Sequence, residues 1–132
     1  MKELEQERGE GKAGVISVGQ WELHPWLGRS DIVEWCQKRG IVIEAYSPLV
    51  RGERLNEDLL KPLISKYQKS AAQILLRWSL QKGFVPLPKS VTPKRIEENA
   101  NVYDFELTAD EMQSLETGKY EPSVWDPTLL RD

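Results

Sequence analysis

The sequence predicts an α/β fold built on parallel strands, and three observations carry the prediction. Short apolar runs recur near residues 15–22, 41–46 and 84–88, and each is followed by one or two stretches of helical periodicity. The middle run, Ile41-Val42-Ile43-Glu44-Ala45-Tyr46, is β-branched and almost continuously apolar, the pattern of a parallel strand buried on both faces. The first run, opening at Val15 to Val18, leads through a turn-rich HPWLGRSD stretch to a helix with Ile32, Val33 and Cys36 on its apolar side. Ser30 is its expected N-cap and Gly40 its stop. The second run ends at Ser47-Pro48, and a loop with Arg51, Gly52 and Arg54 leads to a helix carrying Leu59, Leu60, Leu63, Ile64 and Tyr67, in which Pro62 marks a late start or a kink. Ser70-Ala71-Ala72-Gln73 is a capping box opening a helix with Ile74, Leu75 and Trp78 on one face, stopped by Gly83. Phe84 to Leu87 is the third strand. Thr92-Pro93 reads as N-cap and N1 proline of a helix with Ile96, Asn99 and Ala100, and Thr108 to Glu111 is a second capping box before Met112 and Leu115. The tail, with two prolines and no period, is expected to be an irregular arm over 119–132.

A chain of 132 residues and 15.2 kDa is of one-domain size, so residues 1–132 are read as a single unit. Hydrophobic residues at 39% and charged residues at 30% argue for a globular chain and against disorder, and no run approaches the roughly 18 apolar residues of a membrane span. Eighteen Lys+Arg against 21 Asp+Glu leave a charge of −3, which excludes a generic nucleic-acid surface; any phosphate site must be local. One cysteine and one histidine allow this chain alone neither a disulfide nor a structural zinc site, and no metal centre is expected. The charged opening MKELEQERGEGK lacks the apolar stretch of a signal peptide, so the expected location is the cytosol. Three parallel strands with open edges and an uncovered inner face make a poor isolated sheet, and self-association or pairing with another chain is expected. Closed (β/α)8 barrels run to about 250 residues, and three units are well under half of eight.

Ligands of α/β folds sit beyond the carboxyl ends of the strands, which directs attention to Gln20 to His24, Tyr46 to Arg51 and Lys89 to Arg95. Lys89 and Ser90 precede the helix opened by Thr92-Pro93, with Arg95 in its first turn; free N–H groups, the helix dipole and cations converge there, as suits a phosphate monoester, although a solvated basic helix start has the same pattern. Tyr46 is a core aromatic or a stacking platform, and with no cation nearby an acid role is its weakest reading. His24 is expected to be packed and hydrogen-bonded, Cys36 inert, and Trp35 and Trp78 part of the core, while Trp21 and Trp125 could line a pocket.

Three collinear motifs add more. Gln20-Trp21-Glu22-Leu23-His24-Pro25, Gly40 to Leu49 (GIVIEAYSPL) and Leu87 to Asn99 (LPKSVTPKRIEEN) closely resemble the aldo-keto reductase family. The resemblance covers residues 13–118 and implies a partial (β/α)8 TIM barrel: strands six to eight, their helices and the extra C-terminal helix, with MKELEQERGEGK similar to the helix before strand six. It further implies an NADP cofactor lying across the strand ends. On that footing Gln20 matches the residue bonding the carboxamide, Tyr46 the aromatic stacked on the nicotinamide, and Ser47 and Leu49 the pyrophosphate contacts, with Arg51 a nearby addition. Lys89, Ser90 and Arg95 match the group holding the 2′-phosphate, and Glu98 and Asn99 the adenine contacts.

The departures are equally informative. The family's catalytic Asp, Tyr, Lys and His stand on earlier strands and have no match here, so no catalytic residue is assigned; nor is there a match for the Ser-Asn pair of strand five, and Gly19 stands where the family usually has Asn. The resemblance implies an NADP-dependent oxidoreductase acting on an aldehyde or ketone, in truncated form and inactive as this chain alone. The alternative is a non-catalytic remnant that binds a dinucleotide or associates with a barrel.

Overall fold

The computed structural model describes residues 6–9, 12 and 14–129. Residues 6–8 are helical as expected of the opening segment, Gly9 and Lys12 are not, and residues 1–5, 10 and 11 lie outside the described residues. The three strands β1 (Val18–Glu22), β2 (Val42–Tyr46) and β3 (Val85–Leu87) form a parallel sheet in the order β1-β2-β3. Val18 pairs with Val42 and Glu22 with Tyr46 on one side of β2, and Glu44 pairs with Val85 and Tyr46 with Leu87 on the other. The strands are shorter than their apolar runs. Val15 and Ile16 lie outside β1 and are exposed, because β2 begins opposite Val18; one further backbone bond, from the Val42 N–H to the Ser17 carbonyl, closes the ladder.

Helices α1 (Ser30–Gln37), α2 (Lys61–Tyr67), α3 (Ala71–Gln81), α4 (Pro93–Ala100) and α5 (Ala109–Ser114) follow, with single 3-10 turns at Val50–Gly52, Asp58–Leu60 and Pro127–Leu129. Both capping boxes form: Ser70 with Gln73 opens α3 and Thr108 with Glu111 opens α5. Pro62 lies in the first turn of α2 and so marks a start, not a kink. Ser30 is not the N-cap of α1 but its first residue. Arg29 takes the cap position at φ 44 with no side-chain cap, its guanidinium being engaged instead by Asp126 and Thr128. Thr92 caps α4 by position, without a side-chain hydrogen bond. Among the described residues no helix is long and apolar enough to cross a membrane.

Side chains alternate across the sheet. Ile43 and Ala45 turn into a core completed by Val33 and Cys36 of α1, Leu63 of α2, Ile74, Leu75 and Trp78 of α3, and Phe84, Leu107 and Leu115. His24 and Trp78 are fully buried, as read, whereas Trp35 is half-buried against that core and Trp125 is exposed. The expectation that β2 is buried on both faces fails: Val18 (51%), Val42 (47%) and Val85 (44%) are exposed. They share the face of Gln20, Glu22, Glu44, Tyr46 and Leu87; the tail closes over its carboxyl end at Glu22, and among the described residues nothing buries the three valines. An apolar run reports that a strand suits burial; whether a second layer exists is a property of the chain beyond the run.

Glu111 fastens α5 to α2. Burial pushes its pKa up, but hydrogen bonds from Lys66 Nζ (2.6 Å), the Tyr67 hydroxyl (2.5 Å) and the Thr108 N–H (2.8 Å) outweigh that and hold it at about 2. A carboxyl whose pKa is lowered on folding contributes stability above its unfolded value and loses it as pH falls through the folded one. Glu111→Gln is therefore expected to cost on the order of 2 kcal/mol at neutral pH. That difference from the parent should shrink as the pH is lowered from about 4.5 to about 2, read by urea unfolding across that range; a difference independent of pH would contradict the assignment.

Candidate functional site

The loop after β2 departs from ordinary backbone geometry. Ser47, Val50 and Arg51 all have positive φ (48, 49 and 54), a region in which a β-branched residue such as Val50 is rare. The loop is held by its own turn bonds, Val50 N–H to Ser47 carbonyl at 2.9 Å and Gly52 N–H to Leu49 carbonyl at 2.8 Å, and by the Val50 side chain, which is buried in the core. Anchoring Val50 inward leaves Ser47, Leu49 and Arg51 along one wall of an open groove of about 1040 Å³.

The opposite wall is the segment after β3 and the start of α4: Lys89, Ser90, Arg95, Glu98 and Asn99. The capping residue of α3 fixes this wall. Gln73 Oε1 accepts the Ser70 N–H that opens α3, while its Nε2 donates to the carbonyls of Glu98 (3.1 Å) and Asn101 (2.9 Å) at the far end of α4. Helix α4 buries none of its residues, so this clamp, not core packing, holds it against the groove. Eight of the ten residues singled out from the sequence thus line one concavity.

Charge distinguishes the groove. Lys and Arg side chains elsewhere are largely tied to carboxylates, as in Lys66–Glu111, Lys69–Asp104, Lys82–Glu116 and Arg54–Glu121. Among the described residues Arg51, Lys89 and Arg95 form no ion pair. Three unpaired cations around one concavity, one of them in the first turn of a helix with no acidic residue there, suit a ligand with more than one phosphate.

Gln20 and Tyr46 stand apart from the other eight. They line a narrow cleft at the carboxyl ends of β1 and β2 together with Trp21, Glu22, Arg29, Asp126 and Thr128; the groove begins at the next residue, Ser47. Tyr46 is half-buried, and burial, reinforced by the nearby charges of Glu22 and Asp126, raises its phenol pKa. A phenol shifted that way is a poor proton donor at neutral pH and a suitable flat surface, in line with the stacking reading. Gln20 Nε2 donates to Glu44 Oε2 at 2.7 Å. A side chain at Gly19 would meet the outer edge of the Trp21 indole, which lies over the glycine, so the ring would have to shift to admit one.

Sequence reasoning missed the far side of the cleft. The tail is irregular, but it is tied down: Glu22 Oε1 accepts from the Ser123 N–H (2.7 Å), the Ser123 hydroxyl and His24 Nε2 (3.0 Å), and Arg29 Nη1 bonds Asp126 at 3.2 Å. The Tyr120 hydroxyl donates to Asp126, so Tyr120 reaches the cleft wall. Burial lowers the pKa of His24, against the opposing pull of Glu22, so the imidazole is neutral at neutral pH; Nε2 must carry its proton, since it faces an acceptor.

Comparison with known proteins agrees with this geometry. The profile of the Aldo/keto reductase family matches residues 53–118. The chain is 48% identical over 101 residues to an uncharacterized oxidoreductase of Schizosaccharomyces pombe, covering 76% of this chain and 37% of that protein. It is 42% identical over 99 residues to glyoxal reductase of Bacillus subtilis, covering 75% and 36%. A crystal structure of a Gox0644 variant in complex with NADPH superposes with a TM-score of 0.84 at 32% identity, covering 99% of this chain and 49% of that one. The chain spans little more than a third of the length of these curated relatives, and its three parallel strands with their helices are part of the (β/α)8 barrel of its structural neighbours. On the motifs, the fold and the family match together, the chain belongs to the aldo/keto reductase family.

Proposed function

We propose that these residues form the cofactor-holding side of an NADP-dependent oxidoreductase acting on an aldehyde or ketone. The observation that carries the reading is the groove lined by Arg51, Lys89 and Arg95, three cations with no ion pair among the described residues, beside the cleft of Gln20 and Tyr46. The residues fit the group. Lys89, Ser90 and Arg95 would hold the 2′-phosphate, Ser47, Leu49 and Arg51 the pyrophosphate, Glu98 and Asn99 the adenine, and Tyr46 and Gln20 the nicotinamide. When bound, the cofactor supplies the hydride; this chain's residues bind and orient it, and none of them is assigned as the proton donor. A cytosolic location fits the lone, reduced, buried Cys36.

A second reading, a non-catalytic module that binds the dinucleotide or docks on other barrel strands, is favoured by the open face carrying Val18, Val42 and Val85. On either reading that face is the place where a second copy or complementary strands would close.

The experiment is cofactor affinity. NADPH should bind better than NADH, and Lys89→Ala or Arg95→Ala should erode that preference by about tenfold or more, since charge-assisted phosphate contacts are worth on the order of 1.4 kcal/mol or more each. Tyr46→Ala should weaken both cofactors alike, because ring stacking does not sense the 2′-phosphate. Equal affinities of the unaltered chain for NADPH and NADH would overturn the assignment.

A further inference from the structure

Gln20 and Glu44 are register partners across β1 and β2, on the open face of the sheet, and their side chains meet at 2.7 Å. Tyr46 follows Glu44 by two residues on the same face, so Glu44 sits one step below the cleft that Gln20 and Tyr46 line. The chemistry of this contact has a direction. A carboxylate only accepts hydrogen bonds, whereas a glutamine amide donates at one end and accepts at the other. Facing Glu44, Gln20 must therefore present its NH2, because the opposite sense would set two acceptor oxygens against each other. Its Oε1 is left as the free end of the amide. Among the described residues no other side chain hydrogen-bonds Gln20, so this single contact decides which end is free.

We propose that Glu44 is a positioning residue that locks the sense of the Gln20 amide, so that Gln20 offers an acceptor oxygen to the NH2 of the nicotinamide carboxamide. The inference rests on the cofactor reading above and specifies how one part of that site is set. Without Glu44 the amide turns either end toward the cleft, and the wrong end opposes donor to donor. Glu44 touches no cofactor atom in this scheme; it acts through Gln20.

The test uses the 132-residue chain with two ligands: NADPH, and adenosine 2′,5′-bisphosphate, which carries the adenine and the 2′-phosphate but no nicotinamide. Glu44→Ala is expected to weaken NADPH by about threefold to tenfold, the range of one hydrogen bond. It should also reduce the fluorescence change of the bound dihydronicotinamide and leave adenosine 2′,5′-bisphosphate affinity unchanged. Glu44→Gln keeps the length but can accept from or donate to Gln20, so it should show most of the same loss; a residue serving only as a spacer would be rescued by it. In a Gln20→Ala background, Glu44→Ala should add nothing. If Glu44→Ala leaves NADPH affinity and the nicotinamide signal unchanged while adenosine 2′,5′-bisphosphate binds, the positioning role is overturned and the cofactor reading stands. Loss of both ligands together in Glu44→Ala also counts against it, as damage to the sheet. If adenosine 2′,5′-bisphosphate does not bind the unaltered chain, the cofactor reading fails and the role of Glu44 falls with it.

Discussion

Replacing Glu22 with alanine is expected to cost about 3 kcal/mol of stability and to open the tail around Ser123 to proteolysis. Glu22 is buried, with 4% of its surface exposed, and one of its oxygens accepts from the Ser123 N–H, the Ser123 hydroxyl and His24 Nε2. Hydrogen bonds to a charged acceptor contribute about 1.5–3 kcal/mol each. On truncation the two Ser123 donors can turn to water, but His24 is wholly buried, and its Nε2 proton would be left without an acceptor. A stranded donor of that kind costs about 1–3 kcal/mol, partly offset because a carboxylate no longer has to be kept out of water. The sum corresponds to a fall in melting temperature on the order of 10 °C for a chain of this size, measured at fixed protein concentration so that association does not shift the midpoint. Glu22→Gln retains an acceptor oxygen without the charge and should show roughly half the loss. Cleavage should localise near Ser123, since Thr117 Oγ1 to the Pro25 carbonyl (2.6 Å) and Arg29 to Asp126 (3.2 Å) still hold the tail on either side. An alanine variant that melts with the parent would show that these contacts carry no net stability.

What the sequence made legible follows the range of the interactions involved. The capping boxes at Ser70 and Thr108, the proline start of α2 and the stop at Gly83 are settled within three or four residues, and each formed as read. The three strands were visible as apolar runs, although their ends are fixed by pairing, which is why Val15 and Ile16 fell outside β1. The tail contacts join residues 97 and 101 positions apart, and no local pattern at Ser123 or Asp126 signals them. The Gln20–Glu44 contact spans 24 residues and becomes readable only once the register of β1 on β2 is known. Spacing alone left the basic start of α4 undecided between a phosphate site and a solvated helix end. The geometry adds what spacing lacked, a facing wall at Ser47 to Arg51 and cations that pair with no carboxylate among the described residues.

The largest effect is expected in catalysis: the purified 132-residue chain should give no measurable NADPH-dependent reduction of a reactive aromatic aldehyde, even where it binds NADPH. Hydride addition leaves negative charge on the carbonyl oxygen. A positioned proton donor of suitable pKa typically supplies about 10²–10⁴-fold of the rate, and preorganised donors to the oxyanion are worth a comparable factor. The tyrosines of this chain do not meet that need. Burial, together with Glu22 and Asp126, raises the pKa of Tyr46, and a ring laid flat against a nicotinamide directs its hydroxyl away from the carbonyl. Tyr67 has Lys66 beside it, but its hydroxyl donates to Glu111 between α2 and α5, and it lines neither groove nor cleft. Tyr103 is exposed on a loop. Tyr120 comes nearest to a role, since it reaches Asp126 on the cleft wall, yet that hydrogen bond raises its pKa and commits its proton to a carboxylate. Steady-state NADPH oxidation should therefore match the protein-free rate for the parent, Tyr46→Phe and Tyr120→Phe alike, and should rise when a complementary N-terminal barrel portion carrying a tyrosine and lysine is added. Robust turnover by the chain alone would show that one of these residues serves as the acid, and loss of that turnover in Tyr46→Phe or Tyr120→Phe would identify which.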